Sequence, residues 1–387
     1  MRLDRRKFTV GLTAAAAIRG ANKSTSAQAA PAYRGPNVII IRFGGGVRRR
    51  ETILTGTTFA PFLLNVLTTR GVLIPSMTVA QLEGVDTSHA EGTLNILTGR
   101  YRAYRDVGSP FLAQHLEPTE PTLFEYLRRA FDVPAHQTLL VNGEDRPQEE
   151  FFSYGVHKSH GVAYRSEVLS LYRFKLWKLR TRLSQGVGSE VELSAVRNEL
   201  QKLERHDYRS SGHAQASQIE AMWQRWQDYY GDSGLKNPRG DSALTELAIW
   251  ALQYLRPRLM MINYQDPDYV HWGNATHYTR AIAVIDKGVE RLVNAIDTDP
   301  EYRDHTVLII VPDCGRDANP LMSVPFQHHF NSRSAHEIWA LILGPGIAKG
   351  RVLDKPVDQT SIAATVGGVM GFKPYRSEGR ALEEVFL

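Results

Sequence analysis

Cysteine is nearly absent. Cys314 is the single thiol in 387 residues. An internal disulfide is excluded, and stability must come from the core whatever the redox compartment. Long apolar runs are missing too: nothing approaches the roughly 18 consecutive apolar residues of a membrane-spanning helix. Charge of one sign is scarce outside the first segment. The formal net charge is +5, and residues 1–29 account for all of it, through Arg2, Arg5, Arg6, Lys7, Arg19 and Lys23 against Asp4. The rest of the chain is balanced and carries no basic stripe with interleaved aromatics. The sequence therefore gives no reason to expect a nucleic-acid partner.

The first segment is not read as fold. "MRLDRRKFTVGLTAAAAIRGANKSTSAQAA" pairs Arg5-Arg6 ahead of Lys7-Phe8. A mildly apolar stretch follows, then Ala27-Gln28-Ala29, which fits an A-x-A cleavage rule. Residues 1–30 are expected to be a twin-arginine export signal, which makes the protein periplasmic or secreted. The alternative is a basic tail.

What is present is a large stock of core material: 42% of residues are hydrophobic. From Pro36 onward, apolar runs alternate with amphipathic stretches. "NVIIIRF" (37–43), "TVLIIVPD" (306–313) and "EIWALILGPG" (337–346) read as buried strands. "APFLLNVLTTRG" reads as a helix stopped by Gly71, and "HYTRAIAVIDKGVERLVNAI" as a helix by its spacing of apolar residues. This alternation predicts an α/β class: a three-layer αβα sandwich over 36–387 with a mostly parallel sheet. In such sheets ligand groups collect beyond the carboxyl ends of strands.

Residues 157–256 depart from that rhythm. Two runs of leucines step by three and four, separated by Gly186 and Gly188. Ser189 and Glu192 form a capping box. A helical insertion is expected here. Its first two helices should form an antiparallel hairpin, followed by helices near 218–230 and 241–255. Covering a cleft is its expected role.

Chemistry-bearing residues sit after the strands. "MMINYQDPDYVHWGN" ends a buried strand and crowds Asp266, Asp268 and His271 into one loop. "VLIIVPDCGR" ends in Asp313-Cys314. His336 precedes another strand, with His328 and His329 as rivals for the same place. "GGGVRRR" offers a nest of backbone N–H groups at Gly44–Gly46 with Arg48 beside it. It is not a Walker loop, because no G-K-S/T follows. A sharp turn with solvated arginines is the plainer reading of the same residues. "GRYRAYR" adds Arg100, Arg102 and Arg105, which either line a mouth for an anion or pair with acids.

In order and spacing these motifs resemble the alkaline phosphatase superfamily of phosphatases, sulfatases and phosphodiesterases. "NVIIIRFGGGVR" is similar to its first strand and turn. "LNILTGRY" (94–101) is similar to the stretch after its nucleophile, and "NYQDPDYVHWGN" to its D-P-D-x-x-(G)-H loop. "VLIIVPDCGR" stands where the family has a strand ending S-D-H-G, and "AHEIWALILGPGI" resembles a later strand. "VDQTSIAATVGGVMG" resembles a late helix. The resemblance implies a metal-dependent hydrolase of phosphate or sulfate esters acting on a small anionic ester. The alternative is a catalytically inactive relative that binds a ligand or a protein.

Carried over residue by residue, the resemblance implies one metal site at Asp268, His271 and His336. Asp313 is either a further ligand, a base or a plain strand-end acid. One divalent ion, zinc before others, is expected rather than two. No carboxylate ends the first strand, and Cys314 replaces the S-D-H-G histidine. Cys314 is either a thiolate ligand or a small buried side chain. Counting back from Leu97-Thr98-Gly99 places the nucleophile at His89, with Ser88 and Thr87 adjacent. An attacking water is the third option. Arg48 and the amides of Gly44–Gly46 would stabilise developing negative charge.

Overall fold

The computed structural model describes residues 30–106, 116–143, 160–204, 216–231, 240–318, 326–328 and 332–387. Residues 1–29 of the expected export segment, and His329, lie outside the described residues.

Aliphatic runs become strands where every second side chain can enter a different core. Along β1 (Asn37–Arg42), Val38 and Ile40 pack into one hydrophobic cluster, and Ile39 and Ile41 into the other. The same alternation holds for β7 (Leu259–Asn263) and β8 (Thr306–Val311), so the sheet is covered on both faces. Helices Leu123–Ala130 and Ser361–Met370 cover one face. Ala275–Thr298 and Asp241–Leu255 cover the other. This is the three-layer arrangement that the alternation predicts.

The remaining strands are β2 (Gly71–Thr78), β5 (Thr138–Val141), β6 (Glu167–Leu169), β9 (Glu337–Leu343), β10 (Arg351–Val352) and β11 (Val357–Asp358). β3 (Tyr104–Asp106) and β4 (Leu116–Pro118) form a separate antiparallel pair. The main sheet runs β10-β2-β9-β8-β1-β7-β5-β6, with β11 on β2. All pairings are parallel except those of β9, which runs against both β2 and β8. "APFLLNVLTTRG" forms a π-turn and a short helix that ends at Arg70. Gly71 then opens β2, a strand that the polar Ser76 and Pro75 hide from a periodicity reading.

Between β6 and β7 the chain is helical at Leu171–Gln185, Glu190–Glu204, Ser217–Tyr230 and Asp241–Leu255. The first two form an antiparallel pair tied by Tyr172 Oη to Leu203 O (2.6 Å) and Lys175 to Glu199 (2.9 Å). Ser189 N donates to Glu192 and Glu192 N to Ser189, the reciprocal cap read from sequence. Among the described residues no helix is long and apolar enough to cross a membrane.

One feature of the register positions the site. β1 lies between β7 and β8, all three parallel, and Arg42 is level with both Asn263 and Val311. The loops that follow therefore leave the sheet side by side. They carry Gly44–Gly46, Gln265–His271 and Asp313–Arg316.

Candidate active site

Each of the three loops is locked by its own sequence. Gly45 and Gly46 have φ of +83° and +68°, a left-handed backbone that any side chain would strain. A Cβ on Gly45 would also meet Asp268 N at 2.6 Å. The three-glycine turn thus lets strand β1's loop touch the β7 loop. The fourth contributor is the helix His89–Thr98. Ser88 caps it, its hydroxyl accepting from Glu91 N at 3.2 Å. Gly92 lets this helix seat directly on Asp313, whose carbonyl oxygen would lie 2.2 Å from a Cβ there. His89, the first residue of the helix, is thereby delivered between the loops.

His89 lies between two buried carboxylates. Its Nδ1 is 2.7 Å from Asp313 Oδ2 and its Nε2 is 2.5 Å from Asp268 Oδ1. Burial alone would lower the pKa of this imidazole. The adjacent carboxylates of Asp268 and Asp313 win, and the ring is held well above its ordinary value. Both acids respond in kind. Burial would raise them, but the His89 charge keeps Asp268 and Asp313 below the usual carboxylate range. Asp313 is further fixed by Cys314 N (2.8 Å) and Gly46 N (3.3 Å), and Arg42 Nε approaches it at 3.7 Å.

Asp268 Oδ1 also receives His271 Nε2 at 2.9 Å and His328 Nε2 at 3.3 Å. The opposite nitrogens of these two rings are already spent on carbonyl acceptors. His271 Nδ1 donates to Gln327 Oε1 (3.1 Å) and His328 Nδ1 to Thr87 O (2.7 Å). A neutral imidazole whose Nδ1 carries the proton has a bare lone pair at Nε2. Two such lone pairs then face one carboxylate oxygen. That arrangement requires either added protons or a cation, and a distal N–H on a carbonyl is the usual support of a metal-ligating histidine.

Arg316 holds these parts together. Its five N–H groups meet five backbone carbonyls. Nε donates to Gly46 O (2.7 Å), Nη1 to Val270 O (2.8 Å) and Phe326 O, and Nη2 to Gly45 O and Pro267 O (3.1 Å). One buried guanidinium thus ties the β1 loop, the β7 loop and the segment bearing His328.

Not every expected residue reaches the centre. Asp268 and His271 do. His336 does not join them. The two sets of ligand-type atoms lying within 4.8 Å of one another, among the described residues, are His89–Asp268–His328 and His89–Asp313–Cys314. Neither His336 nor His271 belongs to these sets: His271 Nε2 meets Asp268 Oδ1, and His336, which ends the short helix before β9, has Nδ1 3.0 Å from Val79 O. Of the expected ligands Asp268, His271 and His336, the structure brings Asp268 and His271 into contact and places His328, the rival reading, on the same Asp268 oxygen.

Ser88 is half-buried with its hydroxyl on the helix cap, and the Thr87 hydroxyl donates to His328 O. Arg48 is bound by both Glu51 oxygens (2.8 and 2.9 Å) and donates to Asp317 O (3.2 Å). It is neither the solvated arginine nor the free anion clamp of the two sequence readings. The amide of Gly46 serves Asp313. Cys314 is buried, 3.9 Å from His89 Nδ1, and burial beside Asp313 pushes its thiol up to about 11. Asp266 is structural: it caps the helix Asp241–Leu255 through Asp241 N, while Asp241 accepts from Gln265 N and Asp266 N. Arg42 and Arg316 were not signalled by any motif. Arg42 reads as the end of a strand, and Arg316 as one basic residue of many.

No family profile matches the sequence, and neither does any curated protein. Solved structures do match. A mutant of the alkaline phosphatase PafA has 10% identity and a TM-score of 0.56 over 92% of this chain and all of its own. The phosphonate monoester hydrolase of Silicibacter pomeroyi has 14% identity and a TM-score of 0.52, over 90% of this chain and 76% of its own. A 2-O GAG sulfatase has 13% identity and a TM-score of 0.52, over 90% and 73%. At these identities the likeness establishes the fold: this chain has the architecture of the alkaline phosphatase superfamily.

Proposed function

We propose that this fold serves here as an exported, metal-dependent hydrolase of phosphate or sulfate esters, with one divalent ion, zinc before others. The observation that carries the reading is the convergence of His271 Nε2 and His328 Nε2 on Asp268 Oδ1, with both distal nitrogens donated to carbonyl acceptors. One carboxylate and two imidazoles form a donor set that suits zinc with a position left for substrate. Asp268, His271 and His328 would hold the ion, with His89 Nε2 in reach of the same oxygen. The second set fits a cation poorly. The Asp313 oxygens are already taken by Cys314 N and Gly46 N and approached by Arg42, all within the chain. This favours one ion over two.

When bound, the ion would supply Lewis-acid polarisation of the ester. The chain's own residues do the rest. His271 and His328 are oriented by Gln327 and Thr87, so their rings cannot turn away. His89, bridging Asp268 and Asp313 through its two ring nitrogens, orients both carboxylates. Both of its nitrogens are engaged, and the hydroxyls of Ser88 and Thr87 are engaged as well. A water is therefore the favoured attacking group over His89 or Ser88.

A second reading is favoured by the same saturation. Asp268, Asp313 and Arg48 are all paired within the chain, as suits a protein that binds an anion without turning it over. Turnover separates the two. The enzyme should hydrolyse aryl phosphate, phosphodiester or aryl sulfate, and lose that activity on chelation and in His328→Ala. Metal-free protein with no turnover, unchanged in stability by chelator, would overturn the enzyme reading. The expected export is tested by localising the full chain with Arg5-Arg6 intact or replaced by Lys-Lys.

A further inference from the structure

Trp272 follows His271 directly, and its side chain is 82% exposed. Of the chain's six tryptophans, Trp223, Trp226, Trp250 and Trp339 are buried and Trp177 is partly so. An exposed indole leaves a large, rigid apolar face in water. Here it is not a product of a loose loop. On one side, His271 is tied to Asp268 and Gln327. On the other, Asn274 caps the 24-residue helix Ala275–Thr298 by accepting from His277 N. Gly273, at φ +108°, makes the turn between them. The backbone under the indole is pinned at both ends. Among the described residues the ring makes no aromatic contact or hydrogen bond. Tyr269, one residue after Asp268, is also 42% exposed.

From this we infer that Trp272 is a specificity-determining residue. It stacks on the alcohol side of the ester, so the preferred substrates carry a flat apolar face next to the phosphate or sulfate. The inference rests on the hydrolase reading and names the substrate class for that site. The position of the indole one residue from His271 is what ties the ring to the ester rather than to a remote partner. Two kinds of group share the required chemistry, an aryl ring and the C–H face of a pyranose. A linear polyol lacks it.

The test uses metal-loaded full-length protein and four probes: phenyl phosphate, a hexopyranosyl phosphate, glycerol phosphate and inorganic phosphate. Binding is followed by isothermal titration calorimetry, a readout that survives removal of the indole, with acrylamide quenching of the parent's exposed Trp272 as a second measure of cover over the ring. One or both flat-faced esters should bind about three- to tenfold more tightly than glycerol phosphate, the range of an aromatic contact, and should shield the indole from quencher. The flat-faced ester with the larger factor identifies the source. Trp272→Ala should reduce that factor to one and leave inorganic phosphate affinity unchanged, while Trp272→Phe should retain most of it. An undiminished preference in Trp272→Ala, or phosphate binding without any preference, overturns the inference and leaves the hydrolase reading standing. If none of the four anions binds, the hydrolase reading falls and the inference falls with it.

Discussion

Replacing Arg316 by methionine should cost about 3–5 kcal/mol of stability, the range for removing one partner of a buried charged arrangement. The figure follows from the structure. The side chain is fully buried and each of its five N–H groups meets a backbone carbonyl, at Gly45, Gly46, Pro267, Val270 and Phe326. Each buried acceptor left without a partner costs about 1–3 kcal/mol. The five do not add. Loops relax, water enters, and the desolvation that lowers the guanidinium's pKa is relieved. Lysine has three donors on a compact head and cannot span five carbonyls in one plane, so Arg316→Lys should recover only part of the loss. Equilibrium urea unfolding of the two variants measures this directly. Because Val270 and Phe326 flank His271 and His328, metal affinity should also fall, by about 10- to 100-fold. A methionine variant within about 1 kcal/mol of the parent, with unchanged metal affinity, would refute the claim that one guanidinium organises the site.

Other expectations follow from single contacts. Asp268→Ala and His328→Ala should each abolish stoichiometric zinc binding in elemental analysis, whereas His336→Ala, whose ring serves Val79 O, should keep it. Ser88→Ala should lower stability by about 1 kcal/mol as the loss of a helix cap and leave any turnover rate in place; a rate collapse with intact folding would restore Ser88 as the nucleophile. Arg48→Ala should lower the thermal midpoint and leave the KM for an aryl phosphate unaltered, because Glu51 already claims the guanidinium. Glu91 is raised to about 7 by burial, above its unfolded value. Its contribution is therefore fully present below the unfolded pKa of about 4.3 and is lost as pH rises through 7. Stability of the parent should fall over that window, and Glu91→Gln should flatten the slope; an identical slope in both proteins removes Glu91 as the cause.

Much of the architecture was legible because it is written in local periodicity. Val38 to Ile41 alternate between two cores, and Ser189 with Glu192 names a helix start. The loops after β7 and β8 were also legible as candidate ligand segments, since an acid follows each apolar run, and the loop after β1 as a glycine turn. The partners within them were not. His336 stands in the expected order before a strand and its ring meets Val79 O, while His328, which the sequence offered only as a rival, lies on Asp268. His89 was legible as a candidate for the attacking position, but not as a cation held between Asp268 and Asp313.

By itself, then, the sequence determined the strand and helix pattern, the α/β class and the set of loops from which a site could be built. These depend on the chemistry of neighbours a few residues apart. Only the tertiary structure decided which side chains meet. His89 and Asp313 are 224 positions apart along the chain and 2.7 Å apart in space. Their meeting is set by where parallel crossovers place strand ends, by glycines at 45, 46 and 92 that permit close approach, and by the buried guanidinium of Arg316. Burial then fixes their charges, since a carboxylate and an imidazole removed from water acquire pKa values that only their partners can set.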